Sequence, residues 1–157
     1  MKKILSLLLF LIILSISITG CTIKATDIPF TKNKPNNYYY TNLLAQNFKD
    51  DNFPKITLFH VNLNKDKELP KEGMENIVGF FKNIKQRNFI SKPASLPSKP
   101  QFKIYINTKK EKYVVNVYNE KYISIYPWDG VFSMDYIDTT DLYALYNFYG
   151  LCTYYFK

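Results

Sequence analysis

Residues 102–138 read FKIYINTKKEKYVVNVYNEKYISIYPWDGVFSMDYID, and this stretch decides the fold. Phe102, Ile104 and Ile106 alternate with Lys103, Tyr105 and Asn107, the period of two that buries one face of a strand and leaves the other outside. Val114 to Tyr118 repeats that character after the turn Lys109-Lys110-Glu111-Lys112. Tyr122 to Tyr126 follows Asn119-Glu120-Lys121, and Val131 to Ile137 follows Pro127-Trp128-Asp129-Gly130. Connections this short join antiparallel neighbours, because a parallel crossover needs a dozen residues or more. The segment is expected to fold as a meander.

Beyond the meander, Thr139-Thr140-Asp141 supplies N-cap residues for a last helix through Leu142, Leu145, Tyr146 and Tyr149, with Gly150 placed to end it. Before the meander, Pro93, Pro97 and Pro100 with three Ser mark residues 91–101 as a connection. Glu68 to Gln86 carries a helical stripe of Met74, Ile77, Val78, Phe81 and Ile84, with Pro70 near its start and acids leading bases along the opposite face. Ile56, Leu58 and Phe59 or Val61 suggest a strand over residues 55–63, and Tyr40, Leu43, Leu44 and Phe48 share one face of a first helix. The expected architecture is α+β: an antiparallel sheet of about four to five strands, including the C-terminal β-meander, with helices packed on one face.

At the other end, Met1-Lys2-Lys3 precedes an apolar run and the small residues that close an export signal. The run, even counted from Ile4 to Ile18, falls short of the roughly 20 residues a membrane-spanning helix needs. Ile18-Thr19-Gly20-Cys21 resembles the lipobox of bacterial lipoproteins. The resemblance implies cleavage after Gly20, diacylglycerol on the Cys21 thiol, and a protein anchored by that lipid on the extracytoplasmic face of the cell membrane. Two acyl chains on one residue give the stable anchoring that a single chain does not. Residues 1–20 are then the signal peptide, 21–37 the lipidated cysteine and a Pro- and Asn-containing tether, and 38–157 a single domain.

Removing residues 1–20 from the 157 leaves enough chain for one sizeable core, carrying 19 Lys and Arg against 13 Asp and Glu. Residues 55–112 hold 13 bases and five acids, whereas 113–157 hold two bases and five acids, so the domain is dipolar. The lysine-rich half suits solubility, or attraction to anionic headgroups and wall polyanions. Nucleic acid is not an expected partner, since no aromatic-basic binding motif is present. Cys152 is the thiol left once Cys21 is lipidated, so no internal disulfide is expected, and its apolar neighbours favour a buried, inert role.

His60 is the single histidine, without a Gly-x-Ser-x-Gly partner motif, and neither a catalytic pair nor a zinc site is expected. The five glycines form no phosphate cradle, and no cofactor is expected. Asp129, Asp135, Asp138 and Asp141 lie close in sequence, and two carboxylates can flank a glycosidic bond. Turn and helix-start chemistry accounts for Asp129, Asp138 and Asp141; Asp135, midway along a strand, has no local explanation. Fourteen Tyr, 12 Phe and one Trp exceed what one buried face accepts, so some aromatic surface is exposed. Tyr and Trp offer apolar area with a polar tip, suited to a sugar, peptide or partner protein.

The segment Val117 to Asp138, with the closing Leu-Tyr-Asn-Phe-Tyr-Gly-Leu-Cys, resembles a family of small clostridial lipoproteins of unknown function. The resemblance runs from about Lys55 onward and implies no activity. The expectation is a non-catalytic binding module recognising a cell-envelope protein, peptide or glycan, with Tyr126, Trp128, Asp129 and Asp135 as candidate contact residues. Two alternatives stay open: a small wall hydrolase working through Asp129 and Asp135, and a structural lipoprotein that holds wall polyanions through its lysines.

Overall fold

The structure, a computed structural model, describes residues 33–50 and 54–157. Cys21, the signal region and most of the expected tether lie outside the described residues. Three helices and seven strands follow in the order α1 (Tyr39–Asp50), β1 (Lys55–His60), β2 (Lys65–Glu68), α2 (Lys71–Asn83), β3 (Phe89–Ile90), β4 (Phe102–Asn107), β5 (Lys112–Val117), β6 (Tyr122–Pro127), β7 (Asp135–Asp138) and α3 (Phe148–Tyr155). The strands form one sheet in the order β2-β1-β4-β5-β6-β7-β3, antiparallel at every step.

The α+β class stands, but the sheet has seven strands rather than four to five. Both additions are edge strands without an apolar alternation. β2 is Lys-Asp-Lys-Glu, exposed throughout, and pairs with β1 through its backbone and an exposed Lys55–Glu68 ion pair at 3.2 Å. Charges there protect the free edge from pairing with another chain. Asn64 makes the tight return possible with φ of 49°, the left-handed region that Asn tolerates. β3 has two residues and pairs with Tyr136 and Ile137 of β7, a contact distant in sequence.

Three further boundaries moved. β1 ends at His60, not at residue 63. β7 begins at Asp135, not Val131, because Val131 to Met134 form a loop tied to Tyr40 and Lys34. The last helix starts at Phe148 and runs through the exposed Gly150. Its N-cap is Asn147, whose side chain accepts the Tyr149 and Gly150 amides at 2.9 and 3.2 Å. The Thr139 hydroxyl donates instead to the Glu120 and Lys121 carbonyls, and Asp138 accepts the Thr140 amide and hydroxyl.

The core lies between one sheet face and the helices. Leu58, Ile104, Val115, Ile125 and Asp135 stand side by side across five strands, and Phe102, Val117, Ile123 and Ile137 form the next row. Leu44 of α1, Ile77 and Phe80 of α2, and Phe148, Leu151 and Cys152 of α3 close over this same face. Each fully buried side chain of this size contributes about 1.5–3 kcal/mol. The Phe80 and Phe148 rings meet at 4.3 Å between centroids. α2 is pressed so closely that the Tyr146 ring occupies the place a side chain at Gly79 would take, and the Tyr155 hydroxyl lies 2.9 Å from where a Cβ at Gly73 would sit.

Two predictions follow from this packing. Gly79→Ala gains about 1 kcal/mol of helix preference, but forces Tyr146 aside, and overpacking of this kind costs about 1–3 kcal/mol. Urea unfolding should therefore show net loss, and a more stable variant would refute the contact. In the core, burial pushes the Cys152 thiol from 9.0 up to about 12. The Tyr113 phenol is likewise raised, first by burial and then by its hydrogen bond to Glu111. Both groups stay protonated in the folded protein while the unfolded chain ionises. Their stabilisation is complete at neutral pH and declines as pH climbs through about 9 towards 12. Unfolding midpoints measured from pH 7 to 11 should fall, and Cys152 should resist alkylation until denaturant is added.

Candidate functional site

Asp135 completes an otherwise apolar row of the sheet and is fully buried. Its Oδ2 accepts the Thr41 amide at 2.7 Å and the Thr41 hydroxyl at 2.8 Å. Thr41 lies in the first turn of α1, where backbone amides lack helical partners, so the carboxylate caps the helix and faces the positive end of its dipole. Oδ1 meets the Lys34 ammonium at 2.5 Å, and that ammonium also donates to the Ser133 and Met134 carbonyls at 2.9 and 3.2 Å. Lys34, inside the stretch read as tether, is thus fastened to the domain. Asn37 adds a bond to the Phe89 carbonyl at 3.0 Å. The strand position that sequence could not explain joins β7, α1 and the start of the described chain.

The other candidate residues are placed differently. Trp128 is 70% exposed, with exposed Asp129 and Gly130 after it and Val131 90% exposed at the same tip. Tyr126 is half-buried on the sheet face opposite the helices. The structure therefore gathers Trp128 and Asp129 on a loop, sets Tyr126 on the open face, and puts Asp135 inside.

The open face carries residues that sequence reading did not single out. Tyr105, Val114 and Tyr126 lie in one cross-strand row, and Lys103, Asn116, Ser124 and Tyr136 lie in the next. Val114, Asn116 and Ser124 are buried on this face, with the Met134 sulfur against the last two. Asn116 is 5% exposed; its amide nitrogen faces the Ser124 hydroxyl at 3.2 Å and the Met134 sulfur at 3.8 Å. Its carbonyl oxygen Oδ1 has no donor. Burial raises the Tyr126 phenol, opposed by the Asn116 amide, while the Tyr105 and Tyr118 hydroxyls add to the rise. Burial raises Tyr136 too, and Tyr118 again contributes. Four tyrosines thus surround one buried amide. The signal was present as Tyr105, Tyr126 and Tyr136 alternating with isoleucines: the outward positions of these strands are aromatic where a solvated sheet carries charge.

Other chemistry is sparse. His60 stands edge-on to Phe102 and Phe156, with centroids at 4.7 and 5.5 Å. Among the described residues no three His, Cys, Asp or Glu side chains are grouped to hold a metal ion, and no helix is long and apolar enough to cross a membrane. A groove of about 720 Å³ between α2 and the turn at Leu145 and Tyr146 is edged by exposed Lys71, Glu75 and Lys82.

Fold and site together define a small α+β domain with one sheet face closed by helices and the other lined by tyrosines. The chain belongs to the family described as "Domain of unknown function (DUF4883)", whose model matches residues 34–152. It is also similar to a solved crystal structure of a "Putative Lipoprotein from Clostridium perfringens", at 32% identity and a TM-score of 0.72, covering 78% of this chain and 98% of that one. No curated protein matches the chain. Family membership begins at Lys34, the residue that Asp135 holds.

The Asp135 junction is testable. Asp135→Ala leaves a buried ammonium and an uncapped α1, and should cost about 3–5 kcal/mol in chemical denaturation. Lys34→Met should cost a similar amount, and the double variant Lys34→Met with Asp135→Ala should cost clearly less than the two losses added together. Additive losses in that cycle would rule the pair out.

Proposed function

We propose that this chain is a lipid-anchored lipoprotein of the extracytoplasmic membrane face, and that its domain is a non-catalytic binding module for a cell-wall glycan. The lipobox at Cys21 and the likeness to a putative lipoprotein support the anchored state. The observation that carries the binding reading is Asn116, 5% exposed, with an unpaired carbonyl oxygen among four tyrosines. A buried acceptor without a donor costs about 1–3 kcal/mol, and because Met134 lies against the same amide, a ligand relieves that cost by displacing the Met134 side chain and donating a hydrogen bond. An N-acetylated sugar has the complementary chemistry: an amide N–H for Oδ1, hydroxyls for the tyrosine tips, and a C–H face that lies flat on a ring. The engagement of Asp135 by Lys34 and Thr41 favours this reading over a hydrolase in which Asp135 works with Asp129.

Calorimetry of the full chain against soluble N-acetylated wall oligosaccharides tests the proposal. Asn116→Ala and Tyr126→Ala should each weaken binding about tenfold or more, the cost of about 1.4 kcal/mol, with folding checked by circular dichroism. Unchanged affinity in both folded variants, or steady release of cleaved sugar, would overturn it.

A further inference from the structure

We propose that the β6–β7 loop is a membrane-contacting tip, with Trp128 and Val131 seated in the headgroup region of an anionic bilayer. This inference rests on the lipid-anchored reading and goes beyond it: the domain lies against the membrane by one defined edge. Three observations converge on that loop.

The first is apolar exposure on a rigid support. Val131 at 90% and Trp128 at 70% exposure stand three residues apart, and the loop beneath them is tied down at successive points. The Trp128 amide donates to the Lys112 carbonyl at 2.8 Å, the Gly130 amide to the Pro127 carbonyl at 3.1 Å, and the Phe132 amide to the Tyr40 hydroxyl at 2.6 Å. Side chains held this way reach an apolar phase without the entropic cost of ordering a mobile loop. Indole favours the interface, with its ring among lipid and its N–H at headgroup level.

The second is where the described chain begins. Lys34 donates to Ser133 and Met134 of this same loop, and Tyr39 stands edge-on to Phe132 at 5.5 Å. Cys21 precedes Lys34 by 13 residues, at most about 45 Å of extended chain. The covalent path to the lipid therefore departs from the apolar tip.

The third is charge. β5 begins and β6 ends at this edge of the sheet, and the neighbouring β4–β5 hairpin carries Lys109 and Lys110. With Lys49 and Lys112 they make four lysines against Asp50, Asp51, Glu111 and Asp129 in the same stretches of sequence, and Lys110 is paired with Asp50. Lysines beside an apolar tip reach headgroup phosphates of anionic phospholipid even where the rim as a whole carries no net charge.

Trp128 is the single tryptophan, so its fluorescence reports this site alone. The lipidated full chain is reconstituted in vesicles of equal parts phosphatidylglycerol and phosphatidylethanolamine, with and without brominated acyl chains. The expected result is a blue shift on reconstitution and quenching by bromine, both lost in Val131→Asp. Emission that stays at the water-exposed wavelength and unquenched in vesicles that carry the chain overturns the tip and leaves the anchor standing. Mass spectrometry and flotation read the anchor separately. A chain without diacylglycerol defeats the lipoprotein reading, and the unlipidated Cys21→Ser chain mixed with the same vesicles still tests the tip: quenching supports it, and salt-released binding with Trp128 unquenched refutes it.

Discussion

The fold depends on a buried carboxylate. Asp135 sits where the pattern of its row calls for an aliphatic residue, and burying its charge is tolerated only because both oxygens are met, one by Lys34 and one by the first turn of α1. That arrangement does three things at once. It sets where β7 starts, it fixes α1 over the end of the sheet, and it draws the residues before α1 onto the β6–β7 loop. A leucine at this position would pack, but it would neither cap the helix nor hold Lys34.

Closing one face leaves the opposite one without helical cover. All three helices spend their buried side chains on Leu58, Ile104, Val115, Ile125 and their neighbours, so the alternate residues of the same strands face outward. Those residues include Tyr105, Tyr126 and Tyr136 around a floor of Val114, Asn116 and Ser124, with the Met134 sulfur against the last two. The close approach of α2 at Gly73 and Gly79 belongs to the same economy. The Tyr146 ring fills the space a side chain at Gly79 would have taken, and Leu69 with the Tyr155 hydroxyl fills that at Gly73.

Much of this was legible in residues 102–138, where alternation and short turns define antiparallel neighbours, and in the stripe of α2. The reading stopped where backbone pairing does not depend on side-chain pattern. Lys65–Glu68 has no apolar face, and Phe89–Ile90 is too short to have a period, yet both complete the sheet's edges. Thr139-Thr140-Asp141 looked like a helix start because hydroxyls and carboxylates cap helices. Here Thr139 is taken by the Glu120 and Lys121 carbonyls, and Asn147 does the capping. Of the candidate site, Tyr126 and Trp128 were visible as aromatics in and beside a turn, whereas Asn116 was one more outward polar residue.

By itself the sequence determined the α+β class, the meander and the helix-covered face, because periodicity and turn chemistry are local properties of the chain. Only the tertiary structure decided where Asp135, Lys34, Asn116 and Trp128 stand and what surrounds them. Each takes its role from partners, or from an absence of cover, that strand pairing brings together from distant parts of the chain: Lys34 and Thr41 are 101 and 94 positions from Asp135. No local pattern encodes such a meeting, since its energy exists only after the sheet has formed.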